Sequence, residues 1–497
     1  MTLWPYLAVD FLIVAALAGL GAALVRVTLG KADAWATVSL AFPVGAGAFT
    51  WLLFLLSWAH VRLGAATIVA TYVGALALPG ALLAYRRSRR RSGALSWNAA
   101  ASHAAAWSQP IADPDAEPTP WQAATPGSAS RSPEFAMAGL LLLFLAGAGP
   151  LALLRAHSQW DATAGWIVKG YGIALQGDIR AGAIWGAWKL AYPLNIPLQT
   201  VFFRVFSGDQ LPGSMLAFPL YAASLAAGLF RFWRRHEVGG WQAWVGVVVL
   251  LTNPLILLHA TIAYANLPTT TYVVLATCWL IEGLNRKSPA GVTMASLLFG
   301  LAGWTRAEAV SYGLFIVPAV LLLHRLLTRQ RTPIVRAVLP FGILEGAWFL
   351  FGWSAVNESH LGQAVRGVWP KLQAGDFRLF ELYLIPRLLA ERAIDPRIWG
   401  LLFPLAGVLC LVGLRTLLTR PLHFTPLSWL SATAIAAAIP IGIFYVRAFT
   451  RGSDFIPFLN RSFDRAFLPA AVMLLALGFL LAFGARTIGA RSRPGGA

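Results

Sequence analysis

Stretches of about 20 mostly apolar residues, the length that carries a helix across the hydrocarbon of a bilayer, recur along this chain. They begin near Pro5, Ala36, Gly64, Phe135, Leu211, Trp241, Leu267, Gly291, Ala307, Ile334, Ile398, Thr425 and Ala466. About 13 such windows leave lipid as the only solvent the chain can fold in. Hydrophobic residues make up 58% of the 497 and charged residues 12%, against about a quarter charged in soluble domains. That balance excludes a disordered protein, a secreted disulfide scaffold and an ordinary cytosolic enzyme. The formal net charge of +19 would suggest nucleic acid in a soluble chain; in a membrane chain it has other uses, and no nucleic-acid partner is expected. Cys278 and Cys410 both lie inside apolar runs and read as packing residues. The first window has no basic region before it and further spans follow, so it does not read as a cleavable signal.

Arginines set the orientation, because loops on the cytoplasmic side carry the excess of Lys and Arg. The densest cluster, Arg86, Arg87, Arg89, Arg90 and Arg91, follows the third window. Placing it in the cytoplasm puts Arg231, Arg234 and Arg235, Arg286 and Lys287, Arg325, Arg329 and Arg331, and Arg415 and Arg420 there too. The alternation closes only if Tyr192–Phe206, which is short and carries Pro193, Pro197 and Arg204, lies at the outer interface instead of crossing. The expected organisation is a three-span unit over 1–85, a cytoplasmic linker over 86–134 that is disordered through its Ala-, Ser- and Pro-rich part from Ser92, and a module over 135–497. The outer face carries two non-spanning segments, His157–Leu211 and Asn357–Arg397.

Acids are few, so those placed outside are informative. The first outer segment opens His157-Ser158-Gln159-Trp160-Asp161-Ala162-Thr163-Ala164-Gly165-Trp166-Ile167-Val168-Lys169. Asp161, Gly165 and Lys169 recur at i, i+4 and i+8 and would share one helical stripe. Asp161 suits a helix cap before Ala162 and equally a general base; Lys169 suits a snorkelling ammonium and equally an anion ligand. Further along stand His259, Asn266, Arg306 with Glu308, and the outer group Arg447, Arg451, Asp454, Arg461, Asp464 and Arg465. Arg306 and Glu308, and Asp464 and Arg465, could be plain ion pairs. Lys371, Asp376, Arg378, Glu381 and Arg387 are too scattered to assign.

Trp160-Asp161-Ala162 with Trp166 and Lys169, followed by Tyr192-Pro193-Leu194-Asn195-Ile196-Pro197-Leu198-Gln199, resembles bacterial GT-C glycosyltransferases. That superfamily includes protein O-mannosyltransferases and the Rgt-type and aminoarabinose transferases. Asn253-Pro254-Leu255, His259-Ala260, Tyr264-Ala265-Asn266-Leu267-Pro268, Gly300–Glu308 and Ser462-Phe463-Asp464-Arg465 follow in the family's order. The resemblance runs from about Phe135 to the C-terminus. It implies an all-α polytopic GT-C-like bundle with interfacial helices in the first large outer loop. It also implies transfer of a hexosyl or pentosyl group, with inversion, from a polyprenyl-phosphate donor to a glycan, lipid or protein acceptor of the cell envelope. The site would open on the periplasmic or extracellular side of a bacterial inner membrane. The family's acidic residue falls on Asp161 and its basic residue on Arg306. Lys169, Asn266, Arg465, His259 and Glu308 would then be donor-phosphate or substrate-binding residues.

The chain departs from that pattern twice. Ala162 follows Asp161 where many relatives have a second acid, and Asn266 stands where the family has Asp. Both weaken the case for a divalent metal, and no metal ligands are expected. There is no Walker A loop, no Gly-x-Gly-x-x-Gly after a strand and no His-Glu-x-x-His. A transporter or lipid flippase is the competing reading. It would need ionisable residues deep within spans, of which Glu345 is the clearest. A catalytically inactive scaffold is the third.

Overall fold

The computed structural model of the protein describes residues 4–30, 32–104, 132–155, 161–180, 192–208, 213–356, 370, 379–419, 424–451 and 455–484. Every regular element among them is helical. The first four are α1 (Trp4–Leu29), α2 (Ala34–Trp58), α3 (Ala65–Ala104) and α4 (Ser132–Arg155). A π-helical turn (Asp161–Ile167) leads into the short α5 (Val168–Gln176) and α6 (Asn195–Ser207). Then come α7 (Ala217–Arg235), α8 (Gly240–Leu251), α9 (Pro254–Ala260), α10 (Asn266–Asn285), α11 (Pro289–Thr305), α12 (Val310–Thr328) and α13 (Ile334–Val356). The last are α14 (Leu379–Ala393), α15 (Pro396–Trp399), α16 (Leu402–Thr419), α17 (Phe424–Arg451), α18 (Phe455–Ala466) and α19 (Leu468–Phe479).

Nine helices among the described residues are long and apolar enough to cross a bilayer, or ten if the bent pair α8–α9 is one span. The 17-residue α11 and shorter apolar helices at Leu402–Arg415 and Leu468–Gly484 occupy the remaining windows. Leu142, Leu143 and Leu154 on α4, Leu322 and Leu326 on α12 and Val335 on α13 point outward. Apolar surface turned out on several helices at once suits lipid and not water. The chain is an all-helical, multi-pass membrane protein.

Spans alternate in direction and gather into two ends. At one, Arg86 donates to the carbonyl of Val27, Asn285 donates to Thr425, and the His324 ring meets Phe424. These contacts bring together the loops that the sequence assigned to the arginine-rich side. At the other, Leu63 donates its N–H to Gly177, Asn253 reaches the Trp399 carbonyl, and Arg392 pairs with Asp464.

One expectation needs correction. α3 continues to Ala104, so the first part of the segment expected to be unstructured is helical. Ala94, Ala99, Ala100, Ala101 and Ala104 make that extension cheap, alanine being the best helix former; residues 105–131 lie outside the described residues. As expected, α6 does not cross, and it lies packed among the other helices. Its first residue, Asn195, bonds Thr50 near the far end of α2, and its last, Ser207, donates to Asp10 near the start of α1. Both ends therefore sit at similar depth, and nearly all its residues are buried. The three N-terminal spans are likewise not set apart, since α2 packs on α1, α6, α7 and α11. α1 and α2 cross with backbones touching: a Cβ at Gly21 would strike the Ala41 carbonyl, and one at Gly45 that of Leu17.

The arginine-rich end is locked by a buried ion cluster. Arg231 on α7 donates through Nε to Asp33 and through Nη1 to Glu282 on α10, each at 3.0 Å, and lies 4.2 Å from the Trp279 ring centroid. Arg235 adds a 2.5 Å bond to Asp33. Burial pushes the Asp33 carboxyl up, but Arg231, the Ala36 N–H and Arg235 outweigh it and hold it below the usual range. Asp33 also caps α2 through Ala36 at 2.6 Å, so one carboxylate fixes the start of α2 and the end of α7.

Replacing Arg231 by Met leaves the buried Glu282 only its longer, 3.7 Å contact with Arg235 and should cost up to about 3 kcal/mol. Thermal unfolding in detergent should show a lowered midpoint for R231M. The double variant R231M/E282M should recover most of the loss.

Candidate functional site

The second end holds the residues singled out in the sequence. The break between α8 and α9 bends by 66°. Pro254 cannot donate a backbone hydrogen bond, and the Asn253 carboxamide accepts the N–H groups of Leu255 and Ile256, each at 3.0 Å, restarting the helix. This brings His259 inward, 1% exposed, with its ring 5.5 Å from Tyr264. α10 then starts at Asn266, which is buried. Ala265 holds the cap position and no side chain caps this helix start.

Arg306 stands in extended conformation (φ −154°, ψ 127°) between α11 and the 3₁₀ turn Ala307–Ala309. Its Nε donates to Glu308 at 3.1 Å, so the expected ion pair exists. Burial opposes the Arg306 charge, while Glu308 supports it. Tyr192 and Tyr312 lie within electrostatic range of it.

Asn195 fixes Arg306 from behind. Its amide donates to the hydroxyl of Thr305 at 2.7 Å, and its carbonyl accepts from Thr50 at 2.8 Å and Gln199 at 2.9 Å. Trp304 donates to Thr50 at 3.1 Å. Gln199 also donates to Tyr221 at 3.0 Å, Tyr221 meets Tyr272 at 3.1 Å, and Tyr272 donates to the Pro43 carbonyl at 2.7 Å. One network therefore runs through α2, α6, α7, α10 and α11.

The first-loop helix joins them through a small apolar cluster. Ala162, Trp166 and Ile167 pack with Ile196, Met215, Phe218, Ala263 and Ala265, and with the rings of Tyr171, Tyr192 and Tyr264. Asp161 begins this helix beside Ala162; its side chain lies outside the described residues. The 161–167 stretch is π-helical, bonding i to i+5, so Asp161, Gly165 and Lys169 do not keep the simple α-helical stripe expected of them. Lys169 does not snorkel. It is 1% exposed, its ammonium lies 5.9 Å from the Tyr192 ring centroid, and burial pushes it down to about 8. Gly170 is required beside it, because a Cβ there would run into Thr200 and the Pro197 carbonyl on α6.

Arg465 comes from α18. The expected Asp464–Arg465 pair is not formed: Asp464 binds Arg392 at 2.6 Å, and Arg465 donates to Ser462 at 3.2 Å and lies 5.4 Å from the Tyr264 ring centroid. Adjacent helical residues diverge by about 100°, so neighbours in sequence seldom face each other. Arg465 and Arg306 both bear electrostatically on His259. Tyr264 thus lies between His259 and Arg465, and Tyr192 lies beside Lys169 and within electrostatic range of Arg306. Among the described residues no group of three or more His, Cys, Asp or Glu could hold a metal ion.

Tyr192 and Tyr264 entered the sequence reading only as motif positions without a role, and Tyr312 and the Asn195–Thr305 bond did not enter it. Asn195 and Gln199, four apart in an apolar stretch, were the available signal. Arg447, Arg451, Asp454, Arg461, Lys371, Asp376, Arg378 and Glu381 have side chains outside the described residues, while Arg387 is paired with Glu391 at 2.7 Å on an exposed face. Glu345 is directed at Gly303 on α11, with Oε1 unpartnered.

No protein-family model and no curated protein matches the sequence. Among solved structures, the crystal structure of ArnT from Cupriavidus metallidurans bound to undecaprenyl phosphate is similar at a TM-score of 0.37 and 15% identity, over 70% of this chain and 77% of that one. The chemistry of this end is accordingly read from its own residues.

The Lys169 ammonium predicts a pH dependence. Below about 8 it is charged and attracts anions; as pH rises through that value the attraction is lost. A long-chain dialkyl phosphate, whose single charge is constant over this range, should bind more weakly at pH 9 than at pH 7. K169M should bind it weakly and equally at both, as read by native mass spectrometry.

Proposed function

We propose that the protein is a membrane glycosyltransferase that takes a sugar from a polyprenyl-phosphate donor and passes it to an acceptor at the outer face of a bacterial inner membrane. The observation that carries this reading is the gathering of Lys169, Arg306 and Arg465 around Tyr192 and Tyr264 at one end of the bundle. Three cations at one end of a membrane bundle suit an anionic lipid head group. The ordered motifs that resemble GT-C enzymes converge on the same end.

In this reading Arg306 anchors the donor phosphate, because a planar guanidinium can make two parallel bonds to it. Lys169 and Arg465 supply further positive charge. The acceptor hydroxyl attacks the anomeric carbon from the face opposite the phosphate and gives its proton to Asp161. The bond from the anomeric carbon to the phosphate oxygen breaks, the configuration inverts, and polyprenyl phosphate leaves with its added negative charge held by Arg306 and Lys169. Glu308 positions Arg306 through their 3.1 Å bond.

The transporter reading rests on Glu345 and on Asp10, buried in α1. Glu345 faces Gly303, whereas Asp10 accepts from Ser207 and meets Gly213. The described cations collect at the two ends and not along one path, which favours chemistry at a surface.

Transfer of radiolabelled sugar from a polyprenyl-phosphate donor in proteoliposomes tests the proposal. D161N should lower the rate about 10²–10⁴-fold and R306Q about 10²–10³-fold. Full transfer by D161N would remove Asp161 from the mechanism. Sugar moving across the bilayer without covalent transfer would favour the transporter.

A further inference from the structure

Three buried polar atoms at this end of the bundle have no partner: Nδ1 of His259, Oδ1 of Asn266 and Oγ1 of Thr269. Unmade hydrogen bonds are costly inside a protein and rarer still in lipid. Thr269 shows that this is not a property of its helix. Thr270, Thr271 and Thr277 on α10 all turn their hydroxyls back to the carbonyl four residues earlier, at 2.8, 3.0 and 2.9 Å. Thr269 has the Ala265 carbonyl available in the same way, yet its hydroxyl does not take it. Asn266 and Thr269 lie three residues apart, on one face of α10. His259 ends α9 on the other side of the Tyr264 turn, within reach of the charges of Arg306 and Arg465.

The set is chemically specific. An amide carbonyl accepts, a threonine hydroxyl both donates and accepts, and an imidazole nitrogen does either according to tautomer. That mixture matches the hydroxyls of a sugar. It contains no carboxylate, and Glu308 and Asp464, on neighbouring elements, are already bridged to Arg306 and Arg392. With Arg306 and Arg465 both bearing on His259, the position repels a further cation.

We propose that His259, Asn266 and Thr269 form a hydroxyl-binding subsite next to the phosphate-binding arginines, and that the glycosyl group it takes is neutral and not amine-bearing. The inference rests on the lipid-phosphate reading of this end and adds the class of sugar. A site built to bond hydroxyls rejects an analogue that leaves those groups unpaired, and here the analogue would also bring the wrong charge.

The test is native mass spectrometry of the full chain in detergent, titrated with polyprenyl monophosphate and with the same lipid carrying glucose, mannose, arabinose or 2-amino-2-deoxyglucose. At least one neutral sugar should bind about tenfold tighter than the bare phosphate, with the amino sugar no tighter than the bare phosphate. N266L and T269V should each cut the neutral-sugar advantage about three- to tenfold while leaving bare phosphate binding within twofold, which also shows that they are folded. R306Q should weaken all the probes together. The subsite is overturned if the amino sugar binds as well as the best neutral sugar, or if the advantage survives both variants. Bare phosphate that binds while no sugar adds affinity defeats the subsite alone. Failure of every probe to bind defeats the lipid-phosphate reading and the subsite with it.

Discussion

Asn195 ties three elements together: Thr50 and Gln199 donate to its carbonyl, and its amide donates to Thr305. Lipid offers no substitute partner for any of these groups, so the helices that carry them must come together with their polar faces in register. Packing between apolar helices in lipid is only weakly directional, and a polar node supplies the missing direction. Because Thr305 is one of its members, the node also fixes where α11 stops. Arg306 then leaves the helix in extended conformation instead of continuing along its surface.

A second polar node, at the opposite end, does a different job. Asp33, Arg231, Arg235 and Glu282 form a closed set of charges between α2, α7 and α10. Every charge there has an opposite partner, and the cluster is spent on structure. The other end is composed differently: Lys169 and Arg465 lie against tyrosine rings, Arg306 is paired with Glu308, and the three polar atoms of His259, Asn266 and Thr269 lack partners.

Much of this organisation was legible in the sequence because its causes are local. Twenty apolar residues in a row need a bilayer whatever surrounds them, and each window has its helix. Asn253-Pro254 announces a break because proline lacks an N–H and asparagine can cap, and α8 and α9 part at that point. The arginine clusters sort to one end for the same local reason. Pairings did not follow from adjacency: Asp464 turned to Arg392 and left Arg465 to Ser462 and Tyr264. The sequence left open whether Lys169 reaches for solvent or turns inward; α6 closes over its helix at Gly170, a contact that no pattern within residues 161–171 reveals. The alanines after Ser92 show the limit of reading composition as disorder, since they also favour a helix.

By itself, then, the sequence determined that the chain lives in a membrane, how many times it approaches crossing it, where its helices break and which end gathers the arginines. Those properties depend on hydropathy, proline and charge, which act within a single turn or a single span. Only the tertiary structure decided which polar groups meet. Asn195 and Thr305 are 110 residues apart, and Arg392 and Asp464 are 72 apart. Hydrogen bonds require atoms within about 3 Å of one another, and distance along the chain says nothing about that until the helices have packed.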